Sequence, residues 1–130
     1  MSIEEKQNFP TYQDFNSIEY PLNEKEISSL IKKFYKSTIS VELIGSGSKR
    51  IIGKTLQCDK ILSTSKLNGI IEYLPEELYI KIKAGTPIKE IEEKLNKNNQ
   101  QLAFEPIDFG YFLNGKSDYG TAAGQVACNI

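Results

Sequence analysis

The chain has 130 residues, with 16 Lys and Arg against 17 Asp and Glu, a formal net charge of −1 and 39% hydrophobic residues. Its length and composition predict one globular domain, and its balanced charge argues against a nucleic-acid partner. It has no apolar run near the roughly 20 residues of a membrane span, and its acidic start, Met-Ser-Ile-Glu-Glu-Lys, does not resemble a signal peptide. We therefore expect a cytoplasmic protein.

The residues that usually perform catalysis are scarce. The sequence contains no His, and its two cysteines, Cys58 and Cys128, are far apart. The usual general base and the commonest metal ligand are therefore missing, and no group of Cys, Asp or Glu has metal-ligand spacing. We predict no catalytic acid or base and no metal site, and we expect any chemistry to depend on an organic cofactor.

The first elements in chain order are an arm, a helix and a strand. Residues 1–20 are polar with scattered aromatic side chains and predict an N-terminal arm, and the domain then spans residues 21–130. Asn23 and Glu26 form a capping-box pattern that predicts a helix to about Lys36. Its apolar face consists of Ile27, Leu30, Ile31 and Phe34. Residues 39–44 predict a strand with Ile39, Val41 and Leu43 on one face.

The middle of the chain predicts short strands and a second helix. The strands are expected over residues 55–58, 60–64, 70–73, 78–84 and 102–104, with 70–73 and 78–84 paired across a turn. The second helix is expected to start at Pro87, capped by Thr86, and its buried stripe consists of Ile88, Ile91 and Leu95. Residues 108–119 predict a loop. The fold class is therefore α+β, a small mixed sheet with two main helices.

A glycine-rich loop after the 39–44 strand is the clearest functional motif. It consists of Gly45, Ser46, Gly47, Ser48 and Lys49. Glycine allows positive φ, so that several backbone N–H groups can converge on one anion, and the serine hydroxyls and Lys49 add donors and charge. The loop suits a phosphate or pyrophosphate, although Gly-Ser sequences also form ordinary turns between strands.

Two nucleotide-binding motifs fit this loop poorly. The dinucleotide fingerprint Gly-x-Gly-x-x-Gly fails because Arg50 occupies the third glycine position. Gly53-Lys54-Thr55 resembles the end of a P-loop, but Ser48 stands at its first glycine and bulky residues lie between. A P-loop-like phosphate-binding module therefore stays open only as an alternative.

Two further segments contain small residues where an element begins. Residues 84–87, Ala-Gly-Thr-Pro, follow a strand and open the second helix, and a plain helix cap explains them. Residues 120–124, Gly-Thr-Ala-Ala-Gly, come after the long loop. They fit tight packing or the close approach of the backbone to a flat ligand.

Taken in this order, the motifs resemble the N-terminal half of the flavin-binding domain of the vanillyl-alcohol-oxidase superfamily, which has the PCMH-type FAD-binding fold. The similar stretches are residues 44–49, 78–92, 102–106 and 120–129, so the resemblance spans about residues 20–130. Within the superfamily, the sequence is most similar to the FAD-binding subunits of bacterial glycolate oxidases. We expect only the first lobe of that fold, because the sequence ends on Val126, Ala127 and Ile130 without a polar tail.

The resemblance implies a non-covalent FAD site, since no His is present for a covalent link. The residues it implies are Gly45, Ser46, Gly47, Ser48 and Lys49 at the pyrophosphate, Pro106 near the flavin, Thr121, Ala123 and Gly124 along the pyrophosphate and isoalloxazine, and Ala127 and Asn129 beside them. Ala123 stands where the family has the first Gly of a Gly-Gly pair, so one methyl group is added.

The resemblance also implies a reaction and partners. It implies oxidation of a small 2-hydroxy acid, glycolate to glyoxylate, with electrons passed to a second flavoprotein subunit and an iron-sulfur subunit. Such a complex implies a cytoplasmic protein peripheral to the inner membrane. Two alternatives remain: a truncated assembly subunit that binds no flavin alone, and the UDP-sugar enolpyruvyl reductases, which share the glycine loop but match residues 84–87 and 104–106 less well.

Overall fold

The computed structural model describes residues 18–54, 56–115, 117 and 120–128. Its elements are β1 (Ile18–Glu19), α1 (Glu24–Lys36), β2 (Val41–Ile44), β3 (Lys60–Ser63), β4 (Ile70–Leu74), a 3-10 turn (Pro75–Glu77), β5 (Tyr79–Ile82), α2 (Ile88–Asn96), α3 (Phe109–Asn114) and α4 (Ala122–Cys128). The predicted α+β class is confirmed.

The strands divide between two sheets. Strands β1, β3 and β2 form a parallel sheet in that spatial order, and β4 and β5 form an antiparallel hairpin. Leu43 lies opposite Leu62, and Ile44 lies opposite Ser63, so β2 and β3 end side by side. The glycine loop therefore begins where two parallel strands present their carboxyl ends, which is where ligands bind in parallel sheets.

Strand β1 lies inside the segment predicted to be an arm. Ile18–Glu19 pairs with Ile61 and Leu62 of the central strand β3, because a two-residue extended segment suffices to fill the free edge of that strand. Residues 1–17 lie outside the described residues. The boundary between arm and domain at residue 20 stays a prediction.

Helix α1 starts as predicted. The Asn23 side chain accepts the Glu26 N–H at 3.0 Å, so the predicted N-cap is formed. The Glu26 carboxylate accepts the Leu22 N–H at 2.7 Å instead of the Asn23 N–H, so the return bond of a capping box is shifted by one residue. The apolar face is covered less than predicted, since Phe34 is 3% exposed whereas Ile31 is half exposed. In strand β2, Val41 and Leu43 share a face as predicted. That face is exposed to solvent, and the less exposed face carries Glu42 and Ile44.

The main core lies under helix α2. Ile88, Ile91 and Leu95 are buried as predicted, together with Ala122 at the start of α4. The partly buried side chains of Tyr73, Ile80, Ile82 and Leu102 pack against them. Burial of each aliphatic side chain contributes about 1.5–3 kcal/mol, so this cluster fixes α4 against α2 and the β4–β5 hairpin.

Four predictions of local structure are wrong. Residues 56–58 and 102–104 form no strand, and Thr55 lies outside the described residues. Residues 109–114, predicted as loop, form α3, because Asp108 accepts the Tyr111 N–H at 2.9 Å and Gly115 ends the helix at φ +67°. Thr86 does not cap α2, because its hydroxyl donates to the Lys83 carbonyl at 2.7 Å and Pro87 stands at the N-cap.

Candidate functional site

The glycine loop, residues 45–49, leaves the end of β2 in a conformation fixed by its neighbours. The buried Ser63 hydroxyl donates to the Gly45 carbonyl at 2.8 Å, and the Thr64 N–H donates to the Ile44 carbonyl at 2.9 Å. Gly47 has φ +82°, a conformation that a side chain disfavours, and its carbonyl accepts the Arg50 N–H at 3.1 Å. The loop is therefore a closed turn anchored to the end of β3.

The segment 120–124 lies directly against this loop. A Cβ built on Gly45 would lie 2.2 Å from Thr121 Oγ1, and one built on Gly120 would lie 2.9 Å from Ser48 Oγ. A Cβ on Gly124 would lie 3.1 Å from Thr121 Oγ1. The two motifs, more than 70 positions apart in the sequence, thus meet at Gly45 and Gly120, where an added Cβ would collide across the contact.

The Ala-Gly-Thr-Pro segment, residues 84–87, holds the 120–124 segment in place. The Ala122 N–H donates to the Thr86 carbonyl at 2.8 Å, and the Ala123 N–H donates to the Ala84 carbonyl at 3.1 Å. In return, the Ile88 N–H donates to the Gly120 carbonyl at 3.1 Å. Residues 84–87 therefore support the 120–124 segment through backbone hydrogen bonds. The Gly120 carbonyl accepts the Ile88 N–H at the start of α2, so no side-chain cap is needed there.

The loop presents donors and one cation. Within the part of the chain that the structure describes, the backbone N–H groups of Ser46, Gly47, Ser48 and Lys49 meet no protein acceptor. Lys49 Nζ lies 3.7 Å from the position of a Gly120 Cβ and 3.8 Å from that of a Gly124 Cβ, and 5.2 Å from the centre of the Phe109 ring. Unpaired N–H groups beside a half-buried ammonium fit an anion such as a diphosphate.

The remaining residues predicted for the site have no described contact with the glycine loop. Pro106 is half-buried next to Ile107, whose carbonyl accepts the side-chain amide of Gln125 at 3.0 Å. Ala123 and Ala127 are exposed on α4, and Asn129 lies outside the described residues. Because the Ala123 N–H is already bonded to Ala84, Ala123 could contact a ligand only through its methyl group or carbonyl.

Four residues that support the site were not singled out from the sequence. Ser63 holds Gly45, Phe109 covers Lys49, and Gln125, which is 2% exposed, links α4 to the Pro106 segment. Glu42 pairs with Arg50, at the end of the loop. The only sequence signals were a polar residue in an apolar strand, at Glu42, and one in the apolar α4 segment, at Gln125.

The P-loop alternative does not match this geometry. In a P-loop the Gly-Lys-Thr end opens a helix. After Gly53, the described residues up to β3 contain no helix, and Gly53 itself lies in an exposed bend at φ +86°. The backbone N–H groups without a protein acceptor lie at residues 46–49 instead, among the described residues.

Comparison with known proteins identifies the family. The family described as "FAD binding domain" matches residues 16–124, most of the chain, and the chain belongs to this family, whose cofactor is FAD. Residues 46–49 and 120–124 fit that cofactor, since backbone N–H groups without a protein acceptor lie beside a segment of small residues.

Individual relatives agree with this assignment. Residues of this chain are 34% identical over 86 positions to glycolate oxidase subunit GlcE of Escherichia coli K12, a match that covers 66% of this chain and 22% of GlcE. Two solved structures of alkyldihydroxyacetonephosphate synthase superpose with TM-scores of 0.65 and 0.62 at 21% identity, covering 85% and 82% of this chain and about a fifth of theirs (20% and 21%). The chain thus spans about a fifth of each protein. Among the described residues, no helix has the length and apolarity to cross a membrane.

Proposed function

We propose that this chain forms the diphosphate-binding lobe of an FAD-dependent oxidoreductase subunit and holds FAD without a covalent link. The observation that carries the proposal is the contact between the glycine loop and the 120–124 segment, where Gly45 and Gly120 leave room only for backbone. A cofactor diphosphate lying on the open side of the loop, beside this contact, would meet the N–H groups of residues 46–49, which have no acceptor among the described residues. Family membership identifies that cofactor as FAD.

Each half of the site has its own task in this proposal. Lys49 and the loop N–H groups neutralise the diphosphate, and the hydroxyls of Ser46 and Ser48, which face Gly120, add donors. The 120–124 segment, with Thr121, Ala123 and Gly124, offers a smooth edge along the cofactor. Pro106 would border the flavin, and Ala127 and Asn129 would belong to the segment beside it.

The reaction we propose is oxidation of a small 2-hydroxy acid, glycolate to glyoxylate. The support is the 34% identity to a glycolate oxidase subunit across 86 residues. When held by these residues, FAD would supply the acceptor for the hydride that leaves the alcohol carbon. This chain's own residues bind and orient the cofactor, and the electrons would pass on to a second flavoprotein subunit and an iron-sulfur subunit, in a complex peripheral to the inner membrane.

Equilibrium binding of FAD to the purified chain tests the proposal. We expect bound FAD to show flavin absorption and to raise the melting temperature, while ATP with magnesium should not. A Lys49→Gln variant should bind FAD more weakly, and Lys54→Gln, which removes an exposed charge outside the glycine loop, should bind like the parent. A folded chain that shows no binding of FAD would favour the alternative of a non-catalytic assembly subunit.

A further inference from the structure

The Glu42–Arg50 ion pair links strand β2 to the far end of the glycine loop. Arg50 Nε donates to Glu42 Oε1 at 2.9 Å, and Nη2 donates to Oε2 at 2.6 Å, so the pair is bidentate. Both side chains are largely buried, with exposed fractions of 18% for Arg50 and 11% for Glu42. A forked, sheltered pair of this kind fixes geometry better than an exposed one.

Arg50 also contacts the turn that it closes. Its N–H donates to the Gly47 carbonyl at 3.1 Å, and its Cδ lies 3.4 Å from the position of a Gly47 Cβ. The side chain therefore passes over the one loop glycine with positive φ and returns to the strand from which the loop started. The Arg50 side chain ends on Glu42, which lies between Val41 and Leu43 in the sequence and on the less exposed face of β2.

We infer that Glu42 and Arg50 are positioning residues that hold residues 46–49 ready for the FAD diphosphate; this inference rests on the proposed function. Because the carboxylate cancels the guanidinium charge, the pair adds little field of its own at the glycine loop. Lys49 is the cation that faces Gly120 and Gly124. The pair therefore acts through the loop, in the place where a dinucleotide fingerprint would have its third glycine.

Loop order can be measured without any ligand. In the ¹⁵N-labelled full chain, we expect the heteronuclear NOE of the Gly47 and Ser48 amides to equal that of α2. In Arg50→Lys and Glu42→Gln it should fall at the loop while α2 stays unchanged. Arg50→Lys keeps the charge and loses the fork, so it separates geometry from charge. Loop amides equally rigid in both variants would overturn the inference, whether or not the chain binds FAD.

Titration with FAD then separates positioning from direct contact. We expect about tenfold weaker binding in each single variant, the effect of having to order about one backbone residue on binding. The salt dependence of the affinity should stay as in the parent for Arg50→Lys, which keeps the charge. It should become steeper for Glu42→Gln, which leaves the guanidinium charge uncancelled, and flatter for Lys49→Gln. A flattened dependence in the double variant Glu42→Gln, Arg50→Gln, which removes both charges of the pair, would identify Arg50 as a phosphate ligand and contradict the inference.

A charge-swapped variant and a surface control complete the experiment. Glu42→Arg combined with Arg50→Glu should recover part of the loop order lost in the single variants, and Lys54→Gln should change neither loop order nor affinity. If the parent chain binds no FAD, the proposed function fails while the NOE comparison still decides whether the pair orders the loop.

Discussion

Gly45→Ala is the sharpest test of the contact between the two halves of the site. Gly45 does not have positive φ, so alanine adds no backbone strain, and the whole effect comes from the new methyl group. That methyl would lie 2.2 Å from Oγ1 and 3.2 Å from Cγ2 of Thr121. Thr121 is 4% exposed and β-branched, so it cannot swing aside as a flexible chain end would.

We expect this overpacking to cost about 1–3 kcal/mol of unfolding free energy. Urea unfolding measures it in four chains: the parent, Gly45→Ala, Thr121→Ala and the double variant. Because Thr121→Ala removes both atoms that clash, the double variant should be more stable than the sum of the single effects by about 1 kcal/mol or more. Gly53→Ala, where a Cβ meets nothing within 4 Å, is the control and should not couple to Thr121. Additive effects of Gly45→Ala and Thr121→Ala would refute the described contact.

Three further predictions concern charge, capping and pH. Lys49→Gln should weaken FAD binding about tenfold in low salt and less in high salt, measured by titration, because a charge-assisted contact is lost. Asn23→Ala should lower the urea-unfolding free energy by about 1 kcal/mol, because the bond to the Glu26 N–H is lost. Hydrogen bonds from the Ser40 hydroxyl and N–H lower the pKa of Asp59 below 3.8, so its stabilising effect is present above that pH and disappears as the pH falls through the folded-state pKa.

Each of these predictions has a contradicting result. Unchanged FAD affinity in Lys49→Gln would show that Lys49 does not bind the cofactor. An unchanged unfolding free energy in Asn23→Ala would show that the Asn23 cap does not stabilise α1. Stability curves measured from pH 5 to pH 2 should fall less steeply for Asp59→Asn than for the parent. Parallel curves would show that the Ser40 bonds do not favour the folded state.

Local sequence patterns predicted the parts of the fold that depend on neighbouring residues. The N-cap at Asn23 and the buried stripe of Ile88, Ile91 and Leu95 are formed as predicted, because caps and helical periodicity act within a few residues. The short helix α3 was missed because its Gly and Asn content suggested a loop, although Asp108 and Gly115 are ordinary start and stop residues for a helix.

Features that depend on tertiary contacts were not predictable from local patterns. Thr86 precedes α2 at a position typical of a helix cap, but backbone bonds with residues 120–122 pair this helix start instead. The Thr86 hydroxyl donates to the Lys83 carbonyl. Glu42 lies on the inward face of β2 and pairs with Arg50, a contact that no local pattern in the strand predicts. The convergence of the glycine loop with Gly120 came only from the family resemblance, since no spacing rule joins residues so far apart.

An amide-resolved titration of the ¹⁵N-labelled chain with FAD decides whether the glycine loop and the 120–124 segment hold the cofactor. We expect the amides of residues 46–49 and of Thr121 and Gly124 to change most in chemical shift and to saturate with one affinity, while α1 and the β4–β5 hairpin stay unchanged. Shifts clustered away from both segments, with the loop amides unmoved, would contradict the assignment of these segments to the cofactor.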